Sequence, residues 1–271
     1  MRANFKRPLK NLARKLVSER RYMALQQAHT AYRKELWPDA DIHLAESRNR
    51  LLDLKSKHKG ERCFIIGNGP SLKKSNLSHL ETEYTFGLNR IYLLFDELGF
   101  TTTYLVSVNQ LVIEQFAAEI EELPCMKFIS WSGRDAIEFT EDVIFLQPRP
   151  ITAFFRNLTE GIWTGGTVTY AAMQIAYYLG FEMVILVGVD HSFATKGQPH
   201  KTVISQGDDP NHFDPSYFGK GVKWQLPDLE RSELAFGLAK YEFEQVGREI
   251  VDATVGGKLD IFRKVEYEGL F

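Results

Sequence analysis

Several short stretches of the chain carry side chains able to handle a phosphate, a sugar hydroxyl or a proton, and each follows or opens an apolar run. Residues 67–71 read Gly-Asn-Gly-Pro-Ser, directly after Cys63-Phe64-Ile65-Ile66. Gly67 and Gly69 allow a tight turn and a close backbone approach to a ligand. Exposed N–H groups ahead of a helix N-terminus suit a phosphate or diphosphate. Ser71 adds a hydroxyl, and the Asn68 amide both donates and accepts. Pro70 and the missing third glycine exclude the G-x-G-x-x-G dinucleotide fingerprint, and the missing G-K-[ST] excludes a Walker A loop. The competing reading is a tight strand-to-helix turn with a serine cap.

Three further strand ends repeat the pattern. Asn89 follows the apolar run at 84–88, Asn109 follows 103–108, and Asp190-His191 follows 183–189. An Asn at a strand end is often a turn residue only. Its recurrence at separate strand ends, with the turn Thr164-Gly165-Gly166-Thr167 opening an apolar helix, argues for a shared ligand site. The N-terminus of that helix is a candidate anion or ribose contact.

Proton transfer needs a group that titrates near neutrality. Imidazole does so, with a reference pKa of about 6.5. His212 and His191 are the candidate bases; for each the competing reading is a hydrogen-bonded structural residue. His212 lies in a long polar segment, about residues 196–223, rich in Gly and Pro and without a periodic pattern. A loop of that length in a compact domain is usually a functional lid or disordered. Its aromatics Phe213, Tyr217 and Phe218, with Trp224 just beyond, favour an ordered lid that excludes water. Asp208 and Asp209 offer hard oxygen ligands, yet adjacent Asp residues in a polar loop read more simply as solvated. No metal ligand set is assigned; Asp208, Asp209 and Asp214 gain weight only if Mg²⁺ is required. Near the end of the chain, Gly256-Gly257 reads as a turn returning Leu259 and Ile261 to the core. The alternative takes Thr254 and Lys258 to the phosphate side of the site.

These residues require a scaffold that gathers strand ends. The chain supplies it as alternating apolar strands (63–66, 84–88, 103–108, 127–130, 143–146, 183–189, 249–252) and helical stretches (91–99, 111–122, 167–179, 229–247). The helix at 229–247 reads as amphipathic, with Leu234, Leu238, Tyr241 and Val246 on its apolar side. The alternation predicts an α/β fold: a Rossmann-like, mostly parallel sheet with helices on both faces. In such sheets ligands lie outside the carboxyl ends of the strands.

Residues 1–60 read as a basic helical N-terminal extension and 61–271 as the catalytic or binding domain. The first 24 residues hold eight Lys or Arg against Glu19 alone, with Leu9, Leu12, Leu16 and Val17 at helical spacing. Such a helix lies on an anionic membrane, joins two copies, or packs on its own protein. The net charge of −2 gives no global attraction to nucleic acid. Cys63 and Cys125 read as free buried thiols in a reducing compartment. No apolar stretch reaches the roughly 18 residues of a membrane span, and no apolar signal-peptide core follows the basic start. The expected location is cytoplasmic, with peripheral contact at the inner membrane face kept open.

The segments "IIGNGPSL", "LNRIY", "VNQL" and "AMQIAYYLGFEMVILVGVDHSF" resemble the 6-hydroxymethylpterin diphosphokinase MptE-like family, whose members occur among bacterial polysaccharide and flagellar glycosylation proteins. Over residues 61–195 their order is also similar to the small bacterial sialyltransferases that use CMP-sialic acid. The resemblance implies a nucleotide site: the loop Gly67, Asn68, Gly69, Pro70 and Ser71 on the phosphate, and Asn89 and Asn109 on the phosphate, sugar or ribose. It implies Thr164, Gly165, Gly166 and Thr167 on the nucleoside, with Asp190 beside the ribose or base. A lid histidine is the base in the sialyltransferases, which leaves His200 and His212 as the residues to test here. The implied activity is sugar transfer from a nucleotide-activated donor, CMP-linked, to a glycan or glycoprotein acceptor. The alternatives are a Mg²⁺/ATP-dependent diphosphokinase and a nucleotide-binding protein without catalysis.

Overall fold

The computed structural model describes residues 41–195 and 197–271. The expected basic helix at 1–24, with its membrane or assembly role, lies outside the described residues, as does Lys196. By chain contacts the protein divides into 1–45 and Glu46–Phe271. Of the first unit the described part is 41–45, where the Asp41 carboxylate accepts from the N–H groups of His43 and Leu44 as helix α1 (Ile42–Leu54) begins. The sheets and the remaining described helices belong to the second unit.

The apolar runs form the strands. The large sheet contains β1 (Arg62–Ile66), β2 (Tyr84–Leu88), β3 (Tyr104–Ser107), β4 (Met126–Ser130), β5 (Val143–Leu146) and β6 (Met183–Val187). After the antiparallel pair β7 (Thr202–Ile204) and β8 (Lys223–Gln225), the sheet is completed by β9 (Glu249–Asp252) and β10 (Arg263–Lys264). Its order is β10-β9-β6-β1-β2-β3-β4-β5, and every neighbouring pair is parallel. The expected α/β, Rossmann-like sheet is what forms. Near-continuous apolar runs such as Cys63-Phe64-Ile65-Ile66 suit it because both faces are covered. The order reverses between β1 and β6, so the loops after these two strands flank the crevice at the switch point.

The two faces are covered differently. On one side lies the apolar helix α5 (Val168–Leu179), with α6 (Leu229–Glu244) beside it. Cys63, Ile65, Phe86, Val106 and Leu186 of the sheet share their core. Leu51 and Leu54 of α1, a helix expected to belong to the N-terminal extension, are in that core too. By strand alternation Phe64, Ile66, Leu105, Ile129 and Ile185 face the other way, and they are equally buried. Short 3₁₀ turns and three short helices supply that side: turns at Pro70–Lys74, Leu77–Leu80 and Ile91–Leu94, then α2 (Phe95–Leu98), α3 (Gln110–Gln115) and α4 (Ala117–Glu121). Helix α1 also closes the β5 edge. Ser47 Oγ accepts from Phe145 N–H at 3.0 Å, and Arg50 donates to the Val143 carbonyl at 2.8 Å. An unpaired edge is thereby masked.

Four expectations are corrected. The helix read at 111–122 is α3 and α4, separated by Phe116 at φ −131°. The stretch read at 229–247 ends at Glu244, and its buried side is Ser232, Ala235, Phe236, Ala239 and Phe243. Leu234 and Tyr241 stand outside, 56% and 51% exposed. A small residue is required at Ala235, where α6 meets the turn that opens α5: a methyl group added at Gly165 would come within 2.6 Å of Ala235 Cβ. The lid is not free of secondary structure, since β7 lies within it and β8 begins at its end. Both cysteines are free and buried, as expected.

Candidate active site

A cavity of about 700 Å³ opens at the carboxyl ends of β1, β2, β3 and β6. Gly67, Asn68, Gly69, Asn89, Asn109, Thr164, Gly166, Thr167, Asp190, His191 and His212 all line it. Pro70, Ser71 and Gly165 do not. The volume suits a small organic ligand.

The loop at 67–71 mostly binds its own protein. Gly67 N–H donates to the Val187 carbonyl at 2.7 Å, and Gly69 N–H to Gly188 O at 2.9 Å. Ser71 gives its N–H to Asp190 Oδ2 at 3.1 Å and its hydroxyl to Asp190 Oδ1. Pro70 has no N–H. The expected amide cradle therefore retains only the Asn68 N–H among its backbone donors. The glycines serve the close approach of two loops: a methyl on Gly67 would strike the Gly188 carbonyl, and one on Gly69 would strike the Asp190 carboxylate. Asp190 is a brace between the β1 and β6 loops. Asn68 donates Nδ2–H to the Leu88 carbonyl at 3.0 Å, while its buried Oδ1 has no partner among the described residues.

The other strand-end residues divide between bracing and caps. Asn89 adopts φ +49° and accepts from Ser107 Oγ at 3.2 Å. Asn109 caps α3 by accepting from Leu111 N–H at 2.9 Å. Thr167 caps α5 through Thr169 N–H. Gly165 and Gly166 turn at φ +61° and +82°, where a side chain would be strained. Thr254 accepts from Val189 N–H and Lys258 N–H donates to the Asp190 carbonyl, so the turn after β9 is structural in these contacts.

The lid forms a fixed wall. Phe213, Tyr217 and Phe218 are buried. Phe213 N–H donates to the Asn68 carbonyl at 2.9 Å. The buried Arg90 guanidinium donates to the carbonyls of Ser216 (3.0 Å) and Tyr217, and its carbon lies 3.8 Å from the Phe116 ring centroid. These ties hold an acid–imidazole pair in place. His212 Nδ1 lies 2.7 Å from Asp209 Oδ2, and its ring stacks on Tyr217 with centroids 3.9 Å apart. Asp209 also accepts from the N–H groups of Asn211 (2.8 Å) and Phe218 (3.1 Å). Burial alone would raise its carboxyl, but the His212 bond and charge, with those two amides, hold it below the usual carboxylate range. Ionised Asp209 only accepts, so it fixes the proton on Nδ1 and leaves Nε2 as the basic nitrogen. The reading of Asp209 as solvated is corrected: it is 7% exposed.

His191 and His200 also line the cavity, each beside an acid. His191 Nε2 is 2.9 Å from Glu233 Oε1, and His200 Nε2 is 3.0 Å from Asp228 Oδ2. In both, Nε2 is engaged, which leaves His212 as the ring among the three whose Nε2 has no protein partner among the described residues. Burial pushes the Tyr217 phenol well above its ordinary value, so it stays a neutral donor.

The sequence leaves magnesium open. Asp190 is engaged by Ser71, Asp209 by His212 and two amides, and Asp228 by the α6 cap and His200. Among the described residues no three His, Cys, Asp or Glu side chains are placed to hold a metal ion.

No sequence motif points to Arg231. It lines the cavity from the first turn of α6, with its guanidinium 5.4 Å from the Trp163 ring centroid. Its distance in sequence from every motif leaves no local signal.

Fold and cavity define an α/β domain with a cavity at the switch point of a parallel sheet. Residues 42–196 match the family described as 6-hydroxymethylpterin diphosphokinase MptE-like, and the chain belongs to that family. No curated protein matches the sequence. Among solved structures, the MAf glycosyltransferase from Magnetospirillum magneticum AMB-1 is similar at TM-score 0.52 and 16% identity. That similarity covers 85% of this chain and 39% of the other, so the chain spans well under half of that enzyme. The sialyltransferase CstII from Campylobacter jejuni, solved with cytidine-5'-monophosphate, is similar at TM-score 0.44 and 16% identity over 76% of this chain and 85% of the other. No helix among the described residues is long and apolar enough to cross a membrane.

Proposed function

We propose that this protein is a glycosyltransferase that moves a sugar from a nucleotide-activated donor, CMP-linked, to a hydroxyl of a glycan or glycoprotein acceptor. The observation that carries the reading is the Asp209–His212 pair, fixed by the lid against a cavity at the sheet's switch point. His212 Nε2 takes the proton of the acceptor hydroxyl as that oxygen bonds to the anomeric carbon. The bond from that carbon to the phosphate oxygen breaks, and the nucleoside monophosphate leaves with the electron pair. Asp209 stabilises the imidazolium that forms, and general-base help of this kind contributes about 10²- to 10⁴-fold. The CMP-linked donor follows from the sequence resemblance and from the modest cationic lining, one Arg and no Lys among the described residues. A triphosphate is ordinarily held with Mg²⁺ and a cationic clamp.

The family description favours a second reading, ATP-dependent diphosphate transfer. Thermal stabilisation by CMP, UDP, GDP and ATP, each with and without Mg²⁺, separates the two. A ligand at 100 times its Kd adds about 2.7 kcal/mol. Stabilisation by CMP without Mg²⁺ is expected. Stabilisation by ATP in Mg²⁺ alone would overturn the sugar-transfer reading. The proposed site of action is the cytoplasm, at the inner membrane face where lipid-linked or surface-bound acceptors are presented.

A further inference from the structure

A nucleotide-linked donor brings negative charge into the cavity, and the loop expected to receive it has little to offer. Gly67, Gly69 and Ser71 direct their N–H groups to protein acceptors, and Pro70 has none. The charge must be met elsewhere. Among the described residues Arg231 is the one Lys or Arg that lines the cavity. Its backbone N–H is engaged by the Asp228 cap at 3.0 Å, but its guanidinium forms no ion pair among the described residues. The neighbouring acids have other partners: Asp228 binds His200, and Glu233 binds His191. Trp163 supplies a cation–π contact, which orients a guanidinium without using its N–H donors. The stem passes close to Gly166: a methyl group there would lie 3.3 Å from Arg231 Cδ. Gly166, at φ +82°, thus leaves room for the arginine beside the start of α5.

We infer that Arg231 is the anion anchor of this cavity, presenting its guanidinium to an oxyanion of the donor, either the phosphate ester or a sugar carboxylate. The inference deepens the proposed sugar-transfer reading and rests on it for the identity of the ligand. A guanidinium forms paired, charge-assisted bonds with either oxyanion. It also makes Arg231 a determinant of donor choice, since a neutral nucleoside gains nothing from it.

Calorimetric binding of cytidine, CMP, CMP-sialic acid and inorganic pyrophosphate to the wild type, Arg231→Gln and Arg231→Lys tests the assignment. One charge-assisted contact is worth roughly ten- to a hundredfold in affinity. The wild type is expected to prefer CMP over cytidine by that factor, and Arg231→Gln to erase the preference while cytidine binding stays unchanged. Arg231→Lys should restore part of it. If the CMP-to-cytidine ratio survives in Arg231→Gln but CMP-sialic acid binding falls, the carboxylate is the anchored group. If all ratios survive, Arg231 is not the anchor. Arg231-dependent binding of pyrophosphate without binding of any cytidine compound would keep the anion site and overturn the nucleotide reading. No binding anywhere in the panel would overturn both.

Discussion

Asp209→Asn removes one charge from a buried junction while preserving its shape. The carboxylate accepts three bonds, from His212 Nδ1, Asn211 N–H and Phe218 N–H. Asparagine has one oxygen, and its NH₂ must then face at least one of these donors. A buried N–H left without an acceptor costs about 1–3 kcal/mol, and loss of the charge weakens the bond that remains. The expected destabilisation is about 2–4 kcal/mol, which in a chain of this size lowers Tm by roughly 5–10 °C. The folded-state pKa of Asp209 is depressed below its unfolded value of about 3.9. Its stabilisation is therefore complete above the unfolded value and is lost as pH falls through the folded one. Urea titrations from pH 7 down to the most acidic condition in which the chain still folds provide the assay. The gap between wild type and variant should be present at pH 7 and narrow below about pH 4. A gap under about 0.5 kcal/mol at pH 7, or one that does not narrow in acid, would refute the reasoning.

Other perturbations separate the lid from the loops it rests on. Arg90→Met keeps the packing on Phe116 but removes the bonds to the Ser216 and Tyr217 carbonyls; it should cost about 1–3 kcal/mol. It should also speed amide exchange across residues 209–218, while exchange in β4 and β5 stays unchanged. Gly69→Ala places a methyl 2.5 Å from Asp190 Oδ1 and should destabilise by about 1–3 kcal/mol, read by chemical denaturation. Ser71→Ala, which removes a hydroxyl donor to Asp190 without lining the cavity, should lower stability by about 1 kcal/mol. Ligand affinity should be unchanged in that variant, as calorimetry can show.

The sheet was legible because buried parallel strands announce themselves as unbroken apolar runs. The spans at 84–88, 143–146 and 249–252 match β2, β5 and β9. The end of α5 was equally plain, since Gly180 takes φ +101° as its left-handed cap. Elements set by tertiary contact were not legible. Nothing local marks the break at Phe116, and the strand β7, Thr202-Val203-Ile204, is too short, in a segment otherwise polar, to show a periodic pattern. In α6 Leu234 and Tyr241 suggest the inner face, whereas the packing buries Ala235, Phe236, Ala239 and Phe243 and leaves Leu234 and Tyr241 outside.

The site shows the same division. Strand-end position brought Asn68, Asn89, Asn109 and Asp190 to one cavity, as sheet topology requires. Their partners depend on approaches between loops that sequence spacing does not encode. Ser71 and Asp190 are 119 positions apart yet hydrogen-bonded. The Asp-x-x-His spacing of Asp209 and His212 is present in the sequence. It gains meaning only through Tyr217, Phe218 and Arg90, which bury it. Arg231 enters through the packing of α6 and is the least readable of the group.

His212 is proposed as the base in a cavity that holds a nucleotide-linked sugar. Its most direct test is turnover of CMP-sialic acid, with and without a glycan acceptor, by the wild type and His212→Asn, alongside CMP affinity for both. His212→Asn is expected to bind CMP as the wild type does and to lose at least about a hundredfold in kcat for transfer. Equal turnover in the two proteins, with CMP bound by both, would contradict it.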